Sequence, residues 1–200
     1  MLFRSLVPLI AVSPAATAEE VSVVVKDDFS KDNPRWKFVT GHWMRRASAG
    51  RPVLAQTTET QPWAVALLEE QTFFDVDVSV RFRPISGKAD ASGGIILRAR
   101  DGQNYLLVRA NALENNFRLY SVVDGARRTL ASARVTEPAL GAWHTLRVTA
   151  KGPRIQAWLD GAPHLDHKDT TFSRGFIGLW TKADSVTEFA DLAATGTVAP

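Results

Sequence analysis

The chain has no cysteine in 200 residues. That excludes a disulfide framework, a thiolate metal site, a cysteine nucleophile and a lipoprotein anchor, which needs a cysteine at its cleavage point. Other familiar chemistry is missing as well. No serine sits on a nucleophile elbow, and no glycine loop has the spacing that cradles phosphate. Past the N-terminus, no apolar run is long enough for a membrane helix. The formal charge is only +3 and is spread along the chain, whereas nucleic-acid modules gather basic charge on one face. No nucleic-acid partner is therefore expected. Helical periodicity is almost absent.

The first residues, MLFRSLVPLIAVSPAATAEE, carry Arg4, an apolar run from Leu6 to Val12, and the small-x-small signal Ala16-Thr17-Ala18. This is the form of a secretory signal peptide over residues 1–18. The expected mature chain is one domain over 19–200, periplasmic or secreted and free of the membrane once the signal is removed. Roughly 180 residues can bury about 70% of their unfolded surface, enough for one core without staples.

The mature chain alternates with a period of two. DVDVSVRFR sets Val76, Val78, Val80 and Phe82 on one side. TLRVTA does the same with Leu146, Val148 and Ala150, and RIQAWLDG with Ile155, Ala157 and Leu159. Alternation of this kind marks strands with one buried face. Asp-Gly pairs at 101–102, 124–125 and 160–161 sit between such stretches and predict hairpins. About a dozen strands at this spacing predict an all-β, antiparallel two-sheet sandwich.

Parity also predicts a functional face. With Asp101-Gly102 as a two-residue turn, Arg98 opposes Tyr105 and Gly94 opposes Arg109. Ile95, Leu97, Ala99, Leu106, Val108 and Ala110 then face the core. Arg98, Arg100, Tyr105, Arg109 and Asn111 face away, as do Arg118, Tyr120, Trp180 and Lys182 on later strands; Trp158 is a further candidate. Rings give flat area for a sugar's C–H face, guanidinium offers a planar fork of donors, and asparagine both donates and accepts. Arg98, Tyr105, Arg109, Asn111, Arg118, Tyr120, Trp180 and Lys182 are thus the expected carbohydrate-binding set, with Gly94 leaving room for a ligand. An outward Arg109 predicts that Arg109→Ala weakens sugar binding and leaves the fold intact.

The order of DDF (27–29), WKFVTGHW, GGIILRARDGQNYLLVRANALENNFRLY, GAWHTLRV, AWLDG and GLWTKADSVTEFADL resembles exported bacterial proteins of the concanavalin A-like lectin/glucanase superfamily. The chain is most similar to the branch of 3-keto-disaccharide hydrolase domains, over nearly the whole mature length. The resemblance implies a jelly-roll sandwich, a carbohydrate ligand or substrate, and cleavage of glycosides oxidised at carbon 3. A 3-keto group acidifies the adjoining C–H, so a base can take that proton and expel the anomeric group while a cation stabilises the enolate. Lys182, Arg98 and Arg109 are candidates for the cation, and Glu114 for the base. The alternative is a non-catalytic lectin-like or envelope interaction domain. The Glu-x-Asp-x-x-Glu string of retaining glucanases is absent, and FADL has Ala190 where relatives often carry a second acid.

No metal site is expected from His164 and His167, which three apart on an extended chain point to different faces. No cofactor is expected. Asp27, Asp28 and Asp191 lie near opposite termini, where a structural calcium is conceivable, although carboxylates alone do not define one. Trp143 is expected to plug a sandwich edge, and most of Trp36, Trp43, Trp63 and Trp143 read as core residues.

Overall fold

Asp124-Gly125 and Asp160-Gly161 form tight two-residue turns. Both residues of each pair take positive φ (49° and 75°, 50° and 81°), flanked by the pairs Val123↔Ala126 and Leu159↔Ala162. This is the twist that suits a two-residue hairpin. The third Asp-Gly behaves differently. Asp101 pairs with Asn104, so the turn is Gly102-Gln103. The Asp101 carboxylate fixes it by accepting from the Gln103 N–H at 2.7 Å.

The structure, a computed structural model, describes residues 21–199. The expected signal peptide 1–18 lies outside the described residues. Fourteen antiparallel strands run β1 (Val21–Asp27), β2 (Trp36–Thr40), β3 (Trp43–Ser48), β4 (Arg51–Gln56), β5 (Thr60–Ser86), β6 (Ser92–Asp101), β7 (Asn104–Asn111), β8 (Glu114–Val123), β9 (Ala126–Arg134), β10 (His144–Lys151), β11 (Arg154–Leu159), β12 (Ala162–Lys168), β13 (Gly175–Ala183) and β14 (Val186–Val198).

The long β5 joins two layers. Its first half pairs with β2 and β13, and β13 continues through β6, β7, β8 and β9. Its second half pairs with β10 and β14, extending to β11 and β12 on one side and to β1, β4 and β3 on the other. Between the layers lies the main core. The front sheet contributes Ile95, Leu97, Leu106, Val108, Ala110, Leu119, Ile177 and Leu179. The back sheet contributes Val76, Val78, Val80, Phe82, Leu146, Val148, Ala150, Ile155, Ala157 and Leu159. Each buried aliphatic or phenyl side chain contributes roughly 1.5–3 kcal/mol relative to exposure. The inward set read from parity is found there, Ala99 excepted. Trp36 and Trp43 are buried in this core, Trp63 packs on a second cluster, and Trp143 packs on a third.

The front sheet is apolar on its other face too. Val65, Leu67, Ile96, Ala99, Tyr105, Leu107, Tyr120, Val122 and Trp180 form a second buried cluster. That second layer decides how the candidate ligand face is built.

Candidate functional site

Register lays the outer face of the front sheet out in rows. One row runs Val65–Trp180–Gly94–Arg109–Arg118–Ser132, and the next Leu67–Gly178–Ile96–Leu107–Tyr120–Thr129. A third begins with Trp63 beside Lys182 and holds the pairs Ser92↔Asn111 and Asn111↔Glu114. Tyr105, Arg109, Asn111, Arg118, Tyr120, Trp180 and Lys182 therefore do share one face. The expectation of an open face is corrected: Tyr105 and Trp180 are 0% exposed, Arg109 1% and Tyr120 2%. They are covered because this face carries its own apolar layer and because Arg127 of β9 reaches over it. The Arg127 guanidinium lies 4.6 Å from the Tyr120 ring centroid, 5.3 Å from Trp63 and 5.8 Å from Trp180. Trp63 and Trp180 pack at 6.1 Å. Gly94 leaves no room either, since a Cβ there would meet the Leu107 side chain at 2.7 Å.

Arg98 is not on this face. The late turn at Gly102-Gln103 leaves a surplus on β6, absorbed as a bulge between Leu97 and Asp101. Arg98 takes φ 50° there, and Ala99 moves to the outer cluster. The Arg98 guanidinium turns to the sheet's end, donating to the carbonyls of Phe172 (3.0 Å), Phe74 (3.3 Å) and Gly152 (2.5 Å). Burial pulls its pKa below the ordinary arginine value. Arg100 follows the bulge and lies over Phe172 at 5.0 Å. Trp158 belongs to the back sheet, stacked under Arg147 at 4.8 Å.

The trough has two zones. At the hairpin end, rings and Arg127 fill it. Burial pushes the Tyr105 phenol well above its ordinary value, against the pull of the Trp180 indole and the Arg127 charge; the Trp180 N–H approaches without closing a hydrogen bond. At the loop end the residues are polar. Arg109 donates to Glu114 Oε2 (3.1 Å) and Asn116 Oδ1 (3.2 Å), and Asn116 donates to Glu114 (2.7 Å). Burial alone would raise the Glu114 pKa, but the Asn116 hydrogen bond and the Arg109 charge outweigh it and hold the carboxyl below its ordinary value. Asn111 Oδ1 accepts from the N–H groups of Ala91 (3.2 Å) and Leu113 (3.0 Å).

Two loops complete this end, and the residue pattern alone did not single them out. Asp184 accepts from the backbone N–H of Lys88 (2.6 Å), Ala89 (3.0 Å) and Asp90 (3.0 Å). Ser185 Oγ donates to Asp90 Oδ1 at 3.1 Å and accepts from the Ser92 N–H at 3.0 Å. Asp90 is thereby fixed at 0% exposure, its Oδ2 3.8 Å from Lys182 Nζ. The tripeptide Lys-Ala-Asp occurs at 88–90 and again at 182–184; that repetition was the available signal.

Among the described residues, twelve buried side-chain polar atoms find no partner within the protein, and eight belong to this trough and its end: Asp90 Oδ2, Ser92 Oγ, Tyr105 Oη, Arg109 Nε, Asn111 Nδ2, Tyr120 Oη, Arg127 Nη1 and Trp180 Nε1. A buried group left unsatisfied costs about 1–3 kcal/mol, so concentrating them on one surface is expensive unless water or a polar ligand engages them. Acceptors, donors and hydroxyls are mixed, which is what vicinal sugar hydroxyls match.

Asp27, Asp191 and His164 are engaged within the protein. Asp27 accepts from Phe29 N (2.7 Å) and Trp36 Nε1 (2.8 Å), while Asp191 pairs with Arg51 at 2.7 Å. His164 packs edge-on to Phe117 at 5.8 Å. Among the described residues no group of three His, Asp or Glu side chains is arranged to hold a metal.

Residues 25–193 match the family profile described as the 3-keto-alpha-glucoside-1,2-lyase-like domain. No curated protein matches the chain. Among solved structures, it is similar to carbohydrate binding module CBM66 from Bacillus subtilis (19% identity over 79% of this chain and 93% of that one, TM-score 0.66). It also resembles a Bacillus subtilis protein of unknown function with a galectin-like fold (15% identity, 92% and 100%, TM-score 0.66). A third likeness is to the kappa-carrageenase of Pseudoalteromonas carrageenovora (13% identity, 92% and 98%, TM-score 0.60). At these identities the likeness is one of fold.

Proposed function

The chain belongs to the family of 3-keto-alpha-glucoside-1,2-lyase-like domains, and from that premise we propose that it is an exported carbohydrate-active protein that acts on 3-keto-glycosides at the loop end of its trough. The observation that carries the reading is the gathering of unpartnered buried donors and acceptors around Asp90, Ser92, Arg109 and Asn111. The half-exposed Trp63 ring and Lys182 stand beside them.

The chemistry follows from the substrate. The carbonyl at carbon 3 acidifies the proton on carbon 2. Removing that proton forms an enolate, and the electron pair then expels the oxygen on carbon 1, which takes a proton back from the protonated base or from water, releasing one sugar and leaving the other with a carbon–carbon double bond. The step needs a base, and a cation facing the carbonyl oxygen. Lys182 is our candidate for that cation, supported by its partly exposed side chain (34%). Asp90, whose Oδ2 receives no hydrogen bond and faces Lys182 Nζ at 3.8 Å, is the base that fits best. Glu114 fits less well, because its carboxylate is engaged with Arg109 and Asn116. A lectin-like role is the second reading, supported by the full burial of Asp90, which leaves that carboxylate no exposed surface.

The test uses plain and 3-keto disaccharides with the mature protein. Expected are release of free sugar from the 3-keto compound alone, loss of turnover in Asp90→Asn, and thermal stabilisation by ligand retained in that variant. Stabilisation without turnover supports the lectin-like reading. Absence of both overturns the carbohydrate assignment.

A further inference from the structure

At the opposite end of the sandwich, where β5 crosses between the layers and the β6 bulge meets the start of β13, lies a cleft of about 690 Å³. Its walls carry two guanidiniums (Arg100 and Arg174), two hydroxyls (Thr72 and Ser173) and two phenyl rings (Phe74 and Phe176), with no carboxylate. A smaller hollow of about 390 Å³ extends it, sharing Thr72, Phe74 and Arg174.

The charge is uncompensated locally. Many arginines elsewhere pair with acids: Arg46 and Arg83 with Glu188, Arg51 with Asp191, Arg147 with Asp77, Arg154 with Asp166. Among the described residues Arg100 and Arg174 have no such partner. Instead each lies over a ring, Arg100 over Phe172 at 5.0 Å and Arg174 over Phe74 at 5.5 Å. Stacking occupies the face of a guanidinium and leaves its in-plane N–H donors free, the edge that binds an oxyanion bidentately. The nearby acids are committed: Asp75 accepts from the Gly152 N–H at 2.8 Å, and Asp169 accepts from the Thr171 N–H at 2.9 Å and its hydroxyl at 3.0 Å. The buried Arg98 cation nearby is held by the carbonyls of Phe172, Phe74 and Gly152 and balanced by Asp75 and Asp169, so the positive charge of the cleft is that of Arg100 and Arg174.

We infer that this cleft is a second ligand site, for a sugar unit bearing an oxyanion. Arg100 and Arg174 hold the anionic group, Phe74 and Phe176 offer apolar area to the ring's C–H face, and Thr72 and Ser173 meet its hydroxyls. The anion can be a carboxylate, as on a uronate, or a sulfate ester; both offer a pair of oxygens that a guanidinium fork can bind bidentately. The cleft shares Ala99 and Phe176 with the hairpin end of the trough, but the proposal stands whether or not the loop end is catalytic.

The experiment is a chemical-shift titration of the labelled mature protein with a uronate oligosaccharide, a sulfated sugar, the neutral parent sugar and inorganic sulfate. Expected are shifts in the amides of 72–74 and 173–176 with the uronate or the sulfated sugar, whichever is the stronger naming the source. Affinity falls as salt rises, and the Arg100→Gln/Arg174→Gln double variant loses about tenfold or more, as removal of charge-assisted hydrogen bonds implies. Both side chains are exposed, so the double variant keeps the fold, checked by an unchanged melting temperature. Equal binding of the neutral sugar at these amides overturns the anionic role. Equal binding of inorganic sulfate overturns the sugar. Silence of these amides with every compound overturns the site.

Discussion

Arg109 and Asp184 both support the loop end of the trough, by opposite means. Arg109 spans the trough floor at 1% exposure and ties Glu114 and Asn116 to β7. Its removal leaves a cavity and frees two hydrogen-bonding partners. Arg109→Ala is therefore expected to destabilise by about 2–4 kcal/mol in urea unfolding, in place of the intact fold that an outward position predicts; Arg109→Met, which keeps most of the packing, should lose less. Asp184 is half-exposed and acts on the backbone. Alanine there strips three N–H groups of their acceptor, and since water can partly replace it, about 1 kcal/mol is expected. The larger effect should fall on ligand affinity, because Asp90 and Ser92 are held through that loop. Backbone hydrogen bonds, that from Lys88 foremost, lower the Asp184 pKa below its ordinary 3.8. Its contribution is thus present above that value and fades as pH falls through the folded one. An affinity that survives Asp184→Ala would remove the loop from the site.

At the level of strands, parity was legible wherever one residue type alternated with another. The inward residues of β7, β10 and β11 could be read directly, and so could the two Asp-Gly turns that close without surplus. The β6–β7 hairpin was not legible, because Asp101 can cap the turn after itself as readily as it can occupy the turn, and only side-chain hydrogen bonding decides. That one choice moved Arg98 out of the trough. The central position of β13 shows how closely these strands approach. A Cβ on Gly178 would lie 2.3 Å from the Ala66 carbonyl oxygen and 3.0 Å from Leu67, and β13 is flanked by β5 and β6 on both sides. Gly178→Ala should cost about 1–3 kcal/mol by overpacking, measured as a lower melting temperature. A neutral result would mean that β5 and β13 can part without loss.

For the whole molecule, the front sheet is buried on both faces. The sign of this lay in Ile95-Ile96-Leu97 and Leu106-Leu107-Val108, where apolar residues occupy both parities; treating such runs as one-sided is why the trough was expected to be open. Double burial leaves few places for charge, so the ion pairs are confined to the sheet's ends and the back surface. One of them centres on Glu188, 1% exposed, accepting from Arg46 at 2.8 Å and from Arg83. Burial pushes its pKa up, but the two guanidiniums outweigh this and hold it below its ordinary 4.5; Glu114 and Asp184 are depressed likewise. A carboxyl with a lowered folded pKa binds its proton later than the unfolded chain does, so acid favours unfolding. Stability should hold from neutrality down to about pH 4.5 and decline as pH falls further, through the depressed values. At the alkaline end the raised Tyr105 pKa acts in the other sense, with stability constant below its ordinary value of 10 and lost above it. Glu188→Gln separates the pair from the rest. It should lower the neutral plateau, since Arg46 and Arg83 lose their shared partner, and flatten the acid limb, so the wild-type and variant melting curves converge as pH falls from 4.5 to 3. Parallel acid limbs would show that Glu188 takes up its proton at the same pH folded and unfolded, and that the acid response arises elsewhere.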